Sequence, residues 1–368
     1  MANLKLYFML ELIKDVQNKL PVNIQKLQKS KLPLVMYGAG SYAADVSRLL
    51  LKNRIEINNY CVDKNYLGEK QTFINNKVVE SIEDVSKRYP KFNIVIGIAD
   101  YLKAEESFKK LNLKQAIFFF DTPDLPKFFD YNFIKEHAAK IQETYNMLSD
   151  KESKEVFLAF INAKISGDPR GLYYLAKFNQ YFPGIIALGN NESLVDCGAY
   201  DGDTILNFLD KVNNKYHKIY AFEPDKDNYK QLQKTISRFH IKDIETFNTG
   251  CWSGKKVVRF KGENNVRSSV SLSGGSSVNV DKIDNIIRGR KVTYIKMDIE
   301  GAELEALRGA KNVIKHNKPK LAICVYHKPN DLISIPQYIK GLVGDYKFYL
   351  RQHQFVSWDM VLYALPKK

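Results

Sequence analysis

Short apolar runs alternate with amphipathic helical stretches over the first third of the chain. The apolar runs lie at residues 34–37, 57–62, 77–79, 93–99 and 116–120, and the helical stretches lie at 42–52, from 81 onward and at 104–111. Continuously apolar strands separated by helices are typical of a parallel sheet that is covered on both faces. The pattern therefore predicts a doubly wound α/β domain over residues 31–125.

The same alternation starts again near residue 193. The apolar runs lie at residues 193–196, 218–222, 244–248, 256–260, 292–298 and 320–326, and the helical stretches lie at 204–212, 227–239 and 303–314. Two final runs, 346–350 and 356–365, are separated by a short polar link and predict a closing hairpin. A second α/β domain over residues 181–368 follows from this pattern.

The remaining segments have weaker patterns. Residues 126–180 lack strand signals and predict a helical connector, with one helix at 148–164. Residues 1–30 predict one or two short helices that are interrupted at Pro21. Residues 262–278 are rich in Ser, Gly and Asn and predict a loop. The predicted fold class is α/β, with two doubly wound Rossmann-like domains joined by a helical connector.

Composition and charge narrow the class of protein. The chain has 368 residues, of which 45% are apolar, and this is enough for two buried cores. The net charge of +15 is dispersed without a run of five like charges, which argues against a nucleic-acid binder. Either a Lys-rich solvated surface or attraction to anionic substrates or lipids explains it.

The chain shows no sequence signal for a membrane or a secreted protein. No stretch reaches the ~20 uncharged apolar residues of a membrane span, and charges interrupt the apolar segment 4–12, which predicts an amphipathic helix rather than a signal peptide. The four cysteines stand far apart, which argues against a zinc site and a disulfide framework. A cytoplasmic protein is therefore expected.

Three motifs carry the candidate chemistry of the second half. The first is residues 195–204 (VDCGAYDGDT), where glycines let a strand-to-helix turn approach a ligand closely. The second is 220–225 (YAFEPD), in which Glu223 either accepts hydrogen bonds from both hydroxyls of a ribose or serves as a carboxylate at a helix start. The third is 294–303 (YIKMDIEGAE), with Lys296 and Asp298 at the end of a buried strand.

In this order and spacing, the motifs over residues 181–368 resemble the FkbM family of S-adenosylmethionine-dependent methyltransferases. The string 295–303 and the downstream 307–310 (LRGA) carry the strongest resemblance. It implies the class I methyltransferase fold, a seven-stranded sheet whose last strand is antiparallel, with S-adenosyl-L-methionine as cofactor. The implied cofactor-binding residues are Asp196, Gly198, Tyr200, Asp201, Gly202, Glu223, Pro224 and Trp252. Trp252 could equally be a core aromatic residue.

The acidic residues of the first motif support this cofactor independently. Two carboxylates beside Gly198 and Gly202 would repel the pyrophosphate of a dinucleotide, but they suit a ligand with an ammonium and a sulfonium. A dinucleotide site would also have a third glycine three residues beyond the second.

Catalytic candidates lie at neighbouring strand ends. Asp298 and His327 are the predicted bases, and Lys296 could stabilise an oxygen anion, orient Asp298 or form a structural salt bridge. His327 could also be a satisfied structural residue. Asp298 with Glu300 could hold Mg²⁺, but the sequence shows no third oxygen ligand, so no metal is predicted and Glu300 is assigned to substrate binding.

Two further substrate contacts are expected near the closing hairpin. The run 349–353 (YLRQH) resembles a family segment that commonly has Arg-His-His, although Gln352 replaces the first histidine. Arg351 and His353 are therefore the candidates from this segment.

The first domain has its own candidate site. Residues 38–45 (GAGSYAAD), 62–70 (VDKNYLGEK) and 95–100 (VIGIAD) resemble the N-terminal nucleotide-sugar-binding domain of PglD-type sugar acetyltransferases over residues 32–120. The resemblance implies a nucleotide site at Gly38, Gly40, Ser41 and Asp63. A degenerate scaffold or dimer surface, and NAD binding, remain alternatives.

The sequence thus predicts a bacterial S-adenosylmethionine-dependent O-methyltransferase. Its acceptor is predicted to be a sugar or sugar-linked hydroxyl, free or nucleotide-linked, in surface polysaccharide or glycoconjugate biosynthesis. One alternative is methylation of a phosphoramidate or another non-sugar group of a glycan, and another is an inactive nucleotide-sugar-binding scaffold. No nucleic-acid partner is expected, and a homo-oligomer is one option for the assembly.

Overall fold

The computed structural model describes residues 8–68, 71–121, 129–261, 269–270 and 277–367. The chain divides into two compact units, each assembled from separate segments. Unit 1 comprises residues 1–139, 155–176 and 354–358, and unit 2 comprises residues 140–154, 177–353 and 359–368. Among the described helices, none is long and apolar enough to cross a membrane.

Unit 1 contains a six-stranded sheet with the order β3-β4-β2-β1-β5-β6. Its strands are β1 (Leu34–Tyr37), β2 (Asn59–Val62), β3 (Phe73–Ile74), β4 (Lys77–Ser81), β5 (Asn93–Ile96) and β6 (Ala116–Phe118). All neighbouring pairs are parallel except β3 with β4. The predicted parallel sheet of the first domain is confirmed.

Helices also belong to unit 1. They are α1 (Phe8–Glu11), α2 (Lys19–Lys29), α3 (Ser41–Lys52), α4 (Ile82–Arg88), α5 (Tyr101–Lys110) and α6 (Tyr131–Glu136). Helices α2 to α5 contribute buried side chains to the cores that contain the strands of this sheet. Pro21 does not interrupt a helix as predicted, because it lies in the first turn of α2, where a missing backbone N–H costs no helical hydrogen bond. Asn18 caps this helix by accepting from the Leu20 N–H.

Two helices, α7 (Ala138–Met147) and α8 (Lys151–Ser166), and the 3₁₀ helix Pro169–Leu175 follow, in the predicted connector. The predicted helix at 148–164 therefore begins slightly later and has a neighbour before it. A residue between α7 and α8, Asp150, accepts a hydrogen bond from the Ser153 N–H at 2.8 Å and so caps the start of α8.

Unit 2 contains a seven-stranded sheet with the order β16-β17-β15-β14-β7-β8-β9. Its strands are β7 (Ser193–Cys197), β8 (Lys218–Phe222), β9 (Ile244–Phe247), β14 (Tyr294–Met297), β15 (Lys320–Cys324), β16 (Tyr346–Gln352) and β17 (Met360–Pro366). Strand β17 is antiparallel to both of its neighbours. The predicted methyltransferase sheet with an antiparallel last strand is confirmed.

A second, four-stranded sheet of unit 2 has the order β10-β13-β11-β12. It consists of β10 (Gly250–Cys251), β11 (Lys256–Lys261), β12 (Ser269–Val270) and β13 (Ser277–Asp281). The apolar run 256–260 is therefore a strand, as predicted, but it pairs outside the main sheet. Of the predicted loop 262–278, residues 262–268 and 271–276 lie outside the described residues, and the rest belongs to β12 and β13.

The helices of unit 2 are α9 (Asp203–Lys211), α10 (Lys226–Arg238), α11 (Ile283–Ile286), α12 (Glu303–Gly309), α13 (Lys311–Asn317) and α14 (Asp331–Leu342). The predicted single helix at 303–314 is two helices, because Ala310 leaves helical geometry with ψ near 12°. The last strand also begins later than predicted. Val356, inside the predicted run 356–365, is buried in the core of unit 1 instead.

Candidate active site

Parallel strands β7, β8, β14 and β15 end at one edge of the seven-stranded sheet. Gly198 follows β7, Glu223 follows β8 and Asp298 follows β14. Ligands of open α/β sheets bind at the carboxyl ends of the strands. The structure therefore brings the three sequence motifs together where a ligand is expected.

The turn after β7 requires glycine at two positions. Gly198 has φ +83°, and a Cβ there would lie 2.1 Å from the Asp298 carbonyl oxygen. Gly202 has φ +95° and precedes the first residue of α9. Between them, Tyr200 is 39% exposed with φ 48°. Asp201 accepts a hydrogen bond from the Asp203 N–H, which holds the turn at the start of the helix.

A buried ion pair fastens this turn to β14. Lys296 Nζ lies 3.0 Å from Asp196 Oδ1 and donates to the Gly198 carbonyl at 2.7 Å. Burial alone would lower the pKa of Lys296, but the carboxylates of Asp196 and Asp298 raise it above its usual range. Lys296 is thus charged and occupied by protein partners, the arrangement of a structural salt bridge.

Glu223 is a buried acid, with 5% of its surface exposed. Its two carboxylate oxygens accept hydrogen bonds from the Tyr200 and Asp225 N–H groups, each at 2.9 Å. Burial raises the pKa of Glu223 to about 7, although both hydrogen bonds lower it. The next residue, Pro224, packs beside Gly250, where a Cβ would lie 3.6 Å from the proline ring.

Trp252 is half-buried at the end of β10. Its backbone N–H donates to the Asp281 carbonyl at 2.9 Å, and Lys256 Nζ lies 4.6 Å from the centre of the Trp252 ring. A Cβ on Gly309 would lie 1.9 Å from the Trp252 carbonyl oxygen. The Trp252 backbone is thus tightly fixed, whereas a role for its ring near adenine stays a prediction.

The three acids Asp298, Glu300 and Glu303 surround the imidazole of His327. We name these four residues the acid–imidazole cluster. His327 Nε2 lies 3.4 Å from Asp298 Oδ1 and 3.6 Å from Glu300 Oε2. His327 Nδ1 lies 3.0 Å from Glu303 Oε1. Asp298 and His327, the two predicted bases, are therefore neighbours.

Two members of this region were not predicted to have a role. Glu303, the fully buried first residue of α12, accepts from the Ile299 N–H at 2.9 Å. Tyr181 donates from its hydroxyl to Asp298 Oδ2 at 2.7 Å. For Glu303, its place as the last residue of the 294–303 motif, at the start of a predicted helix, was a usable signal. Tyr181 lies more than 100 positions away in a segment without a motif.

The electrostatics of the cluster favour a positive charge at its centre. Burial alone would lower the pKa of His327, but Glu303, Asp298 and Glu300 raise it to about 10. Burial alone would raise the pKa of Asp298, but His327 and Lys296 lower it below its usual range. Contact between opposite charges causes both shifts, because the carboxylates favour the charged form of His327, and His327 and Lys296 favour the charged form of Asp298.

Arg351 and His353 are buried among protein partners. Arg351 pairs with Asp150 at 2.6 Å and with Glu152 at 3.4 Å. His353 Nε2 lies 2.8 Å from the Tyr363 hydroxyl, and burial lowers the pKa of His353 to about 4, so the imidazole is neutral. Their assignment as substrate contacts stays a prediction, and the structure gives both a packing role.

The candidate nucleotide residues of unit 1 lie at the carboxyl ends of β1 and β2. Gly38 has φ +131°, and a Cβ there would lie 2.4 Å from the Gly97 carbonyl oxygen, so only glycine fits. The position of a Cβ on Gly40, before Ser41 at the start of α3, is open. Asp63 accepts from the Tyr37 and Ser107 hydroxyls at 2.6 and 2.8 Å. A ligand for this site stays a prediction.

Comparison with known proteins agrees with the geometry of unit 2. Residues 196–357 match the family model described as the methyltransferase FkbM domain. A crystal structure of methyltransferase FkbM from Methylobacillus flagellatus KT matches with a TM-score of 0.73 and 22% identity, covering 95% of this chain and 94% of that one. At this identity the likeness shows the fold, and it extends over both units.

Other solved methyltransferases resemble only part of the chain. An rRNA methylase from Streptococcus thermophilus has a TM-score of 0.34 and 14% identity, covering 49% of this chain and 90% of that one. No curated protein matches the chain. The chain carries a methyltransferase FkbM domain at residues 196–357, and it is a methyltransferase.

Proposed function

We propose that this protein transfers a methyl group from S-adenosyl-L-methionine to a hydroxyl of a sugar or sugar-linked compound. The observation that carries the proposal is the meeting of Gly198, Glu223 and Asp298 at one sheet edge inside a methyltransferase FkbM domain. A strained glycine turn, a buried acid and an acid beside an imidazole are the parts that binding and proton transfer need.

The residues at this edge fit the cofactor chemically. The turn 196–202 would hold the methionine part, whose ammonium suits nearby acids such as Asp201. Glu223 would hold the ribose, because each of its oxygens accepts one backbone hydrogen bond and can accept another. Trp252 would lie near the adenine. When bound, S-adenosyl-L-methionine supplies a methyl group on a positively charged sulfur, which makes it a ready electrophile.

The protein itself orients the acceptor and receives its proton. Asp298 would accept the proton of an approaching hydroxyl at this sheet edge, and His327, whose raised pKa keeps its imidazole protonated, would hold the Asp298 carboxylate from 3.4 Å. Tyr181 fixes the Asp298 carboxylate through its hydroxyl at 2.7 Å. Lys296 holds the turn through Gly198 and contributes to position rather than to proton transfer.

The choice of a sugar hydroxyl rests on the first unit. The resemblance of residues 32–120 to a nucleotide-sugar-binding domain supports an acceptor that is free or nucleotide-linked, and the open position beside Gly40 leaves room for a ligand. Surface polysaccharide or glycoconjugate assembly in a bacterial cytoplasm would use such a reaction. Mass spectrometry of surface glycans with and without the gene would identify the acceptor by the loss of one methyl mass.

Calorimetric titration with S-adenosyl-L-methionine and S-adenosyl-L-homocysteine tests the cofactor directly. We expect one site per chain for each ligand. If the folded protein binds neither of these ligands, the proposal is wrong, and the result favours the hypothesis of an inactive nucleotide-sugar-binding scaffold.

Asp298→Asn separates chemistry from cofactor binding. This variant keeps the size and hydrogen bonding of the side chain but removes its charge, so turnover should fall by ~10²–10⁴. Cofactor affinity should stay within about threefold of wild type, because the ribose and methionine contacts are elsewhere. Asp345→Asn, an exposed acid beside Lys318, is the matched control. A collapse of cofactor affinity in Asp298→Asn would make Asp298 a cofactor ligand instead.

A further inference from the structure

The acid–imidazole cluster has the composition and spacing of a cation site. One ligand atom each from Asp298, Glu303 and His327 lies within 4.8 Å of the other two. A divalent cation with bonds of about 2.0–2.2 Å places its ligand atoms about 3–4 Å apart. The ligand atoms would therefore have to move together by about 1 Å, through small side-chain rotations, to bind one ion.

Buried atoms of the cluster lack hydrogen-bond partners among the described residues. They are the carboxylate oxygens Glu303 Oε2 and Asp298 Oδ1. The His327 side chain is only 9% exposed, and its nitrogens face carboxylates on either side at 3.0–3.6 Å. Leaving buried polar atoms without partners costs about 1–3 kcal/mol each, so two such oxygens beside one imidazole indicate a missing ligand.

The charges of the cluster are unbalanced. Three carboxylates face one imidazole, and the two nearby lysines make their direct contacts with other oxygens. Lys296 lies 3.0 Å from Asp196, and Lys328 donates to the Gly301 carbonyl. With an imidazolium at the centre the cluster carries about −2, and with a divalent cation on a neutral imidazole it carries about −1. A divalent cation therefore relieves more repulsion than a proton does.

We propose that Asp298, Glu303 and His327 bind one divalent cation, with Glu300 beside it. Carboxylates favour Mg²⁺ and Mn²⁺, whereas an imidazole favours Zn²⁺ and its transition-metal neighbours, so a mixed set of this kind suits Mn²⁺. The sequence had offered only Asp298 and Glu300. The structure adds Glu303, because this first residue of α12 lies 3.0 Å from His327 Nδ1.

The catalytic use of the ion rests on the proposed function, whereas its binding does not. At this sheet edge the ion would coordinate the acceptor hydroxyl and lower its pKa, so that the proton leaves to water. Asp298 would then act as a ligand rather than as the base, and His327 would lose its proton and bind the ion through one ring nitrogen.

Binding of Mn²⁺ to the full chain tests the proposal. The protein is stripped with a chelator and titrated with Mn²⁺ without cofactor, and the electron paramagnetic resonance signal of free Mn²⁺ is followed. We expect one ion per chain. His327→Gln and Glu303→Gln should each weaken binding at least about tenfold. Glu305→Gln is the matched control, because Glu305 lies on the same helix and pairs with Ser253 and Arg308.

Each outcome decides the question. Absence of saturable binding to the folded wild type overturns the proposal, and so does equal affinity in wild type, His327→Gln and Glu303→Gln. Circular dichroism checks the fold of each variant, and His327→Gln keeps the test valid if Glu303→Gln does not fold. Calorimetry with S-adenosyl-L-methionine on the same samples separates the two proposals: cofactor binding without Mn²⁺ binding rejects only the cation site, and the reverse rejects only the cofactor.

Discussion

Glu223 should make the stability of unit 2 depend on pH in an unusual direction. Its carboxyl is 5% exposed, and burial raises the pKa to about 7, from 4.5 when unfolded. An acid whose folded pKa is raised stabilises the fold at low pH, and that contribution is lost as the pH rises through about 7. The difference corresponds to about 3 kcal/mol, most of it between pH 5 and pH 8.

Glu223→Gln isolates this effect. In wild type the carboxylate accepts one hydrogen bond from the Tyr200 N–H and one from the Asp225 N–H. The glutamine does not titrate, but its amide nitrogen must face one of these two N–H groups. One buried N–H then loses its acceptor, which costs about 1–3 kcal/mol at every pH. At pH 8 this cost and the gain from removing a buried charge nearly cancel. At pH 5 the variant should be clearly less stable than wild type.

Urea unfolding of both proteins from pH 5 to pH 8, followed by circular dichroism, measures the difference. The control is Glu245→Gln on the neighbouring strand, because Arg290 lowers the pKa of Glu245 and its titration falls below pH 5. That control should parallel the wild type. If Glu223→Gln also parallels the wild type from pH 5 to pH 8, Glu223 has an ordinary pKa and the burial argument is refuted.

The same residue should matter for the cofactor. Glu223→Ala removes both carboxylate oxygens and should weaken binding of S-adenosyl-L-methionine by ~1.5–3 kcal/mol, the range for hydrogen bonds to a charged group. This is about a 10- to 100-fold change in Kd by calorimetry. Unchanged affinity in a folded Glu223→Ala protein would remove Glu223 from the cofactor site.

Two further predictions concern the turn and its buried ion pair. Gly198→Ala should lower the melting temperature strongly, because its Cβ would lie 2.1 Å from the Asp298 carbonyl oxygen at a φ of +83°. Gly254→Ala is the control and should have little effect, because the space beside Gly254 is open. Similar melting curves for both variants would contradict the strain argument. Lys296→Met should destabilise the protein by ~3–5 kcal/mol in urea unfolding, because it leaves Asp196 buried without its cation. The control is Lys230→Met, which removes the exposed partner of Asp227 and should cost under ~1 kcal/mol. A loss for Lys296→Met no larger than that of the control would show that the buried pair is not essential to the fold.

Local patterns were enough to predict the main sheets and the edge that carries the site. Apolar runs such as 34–37 are buried along their whole length, and this burial forces their continuous apolar composition. Gly198 and Gly202 were recognisable because a strand-to-helix turn needs positive φ at those points. Glu223 and Asp298 were recognisable because they end buried strands, where ligands of α/β sheets bind, inside motifs that resemble the FkbM family.

Boundaries that depend on distant packing were not predicted. Val356 belongs to the core of unit 1, although it lies between two neighbouring strands of unit 2. Both units are discontinuous, because residues 155–176 and 354–358 return to unit 1. Hydrophobic periodicity reports that a side chain is buried but not which core buries it, so only the folded chain assigns these segments.

The composition of the acid–imidazole cluster was likewise decided by the tertiary structure. Asp298 and His327 could be placed at one edge from strand order, but the position of Glu303 under His327 depends on how α12 packs after the Gly301 turn. Tyr181 reaches Asp298 from a segment before β7 that has no motif of its own. Sequence determines the chemical groups and their local geometry, whereas long-range packing determines which groups meet, because contacts between distant segments leave no periodic signal in the chain.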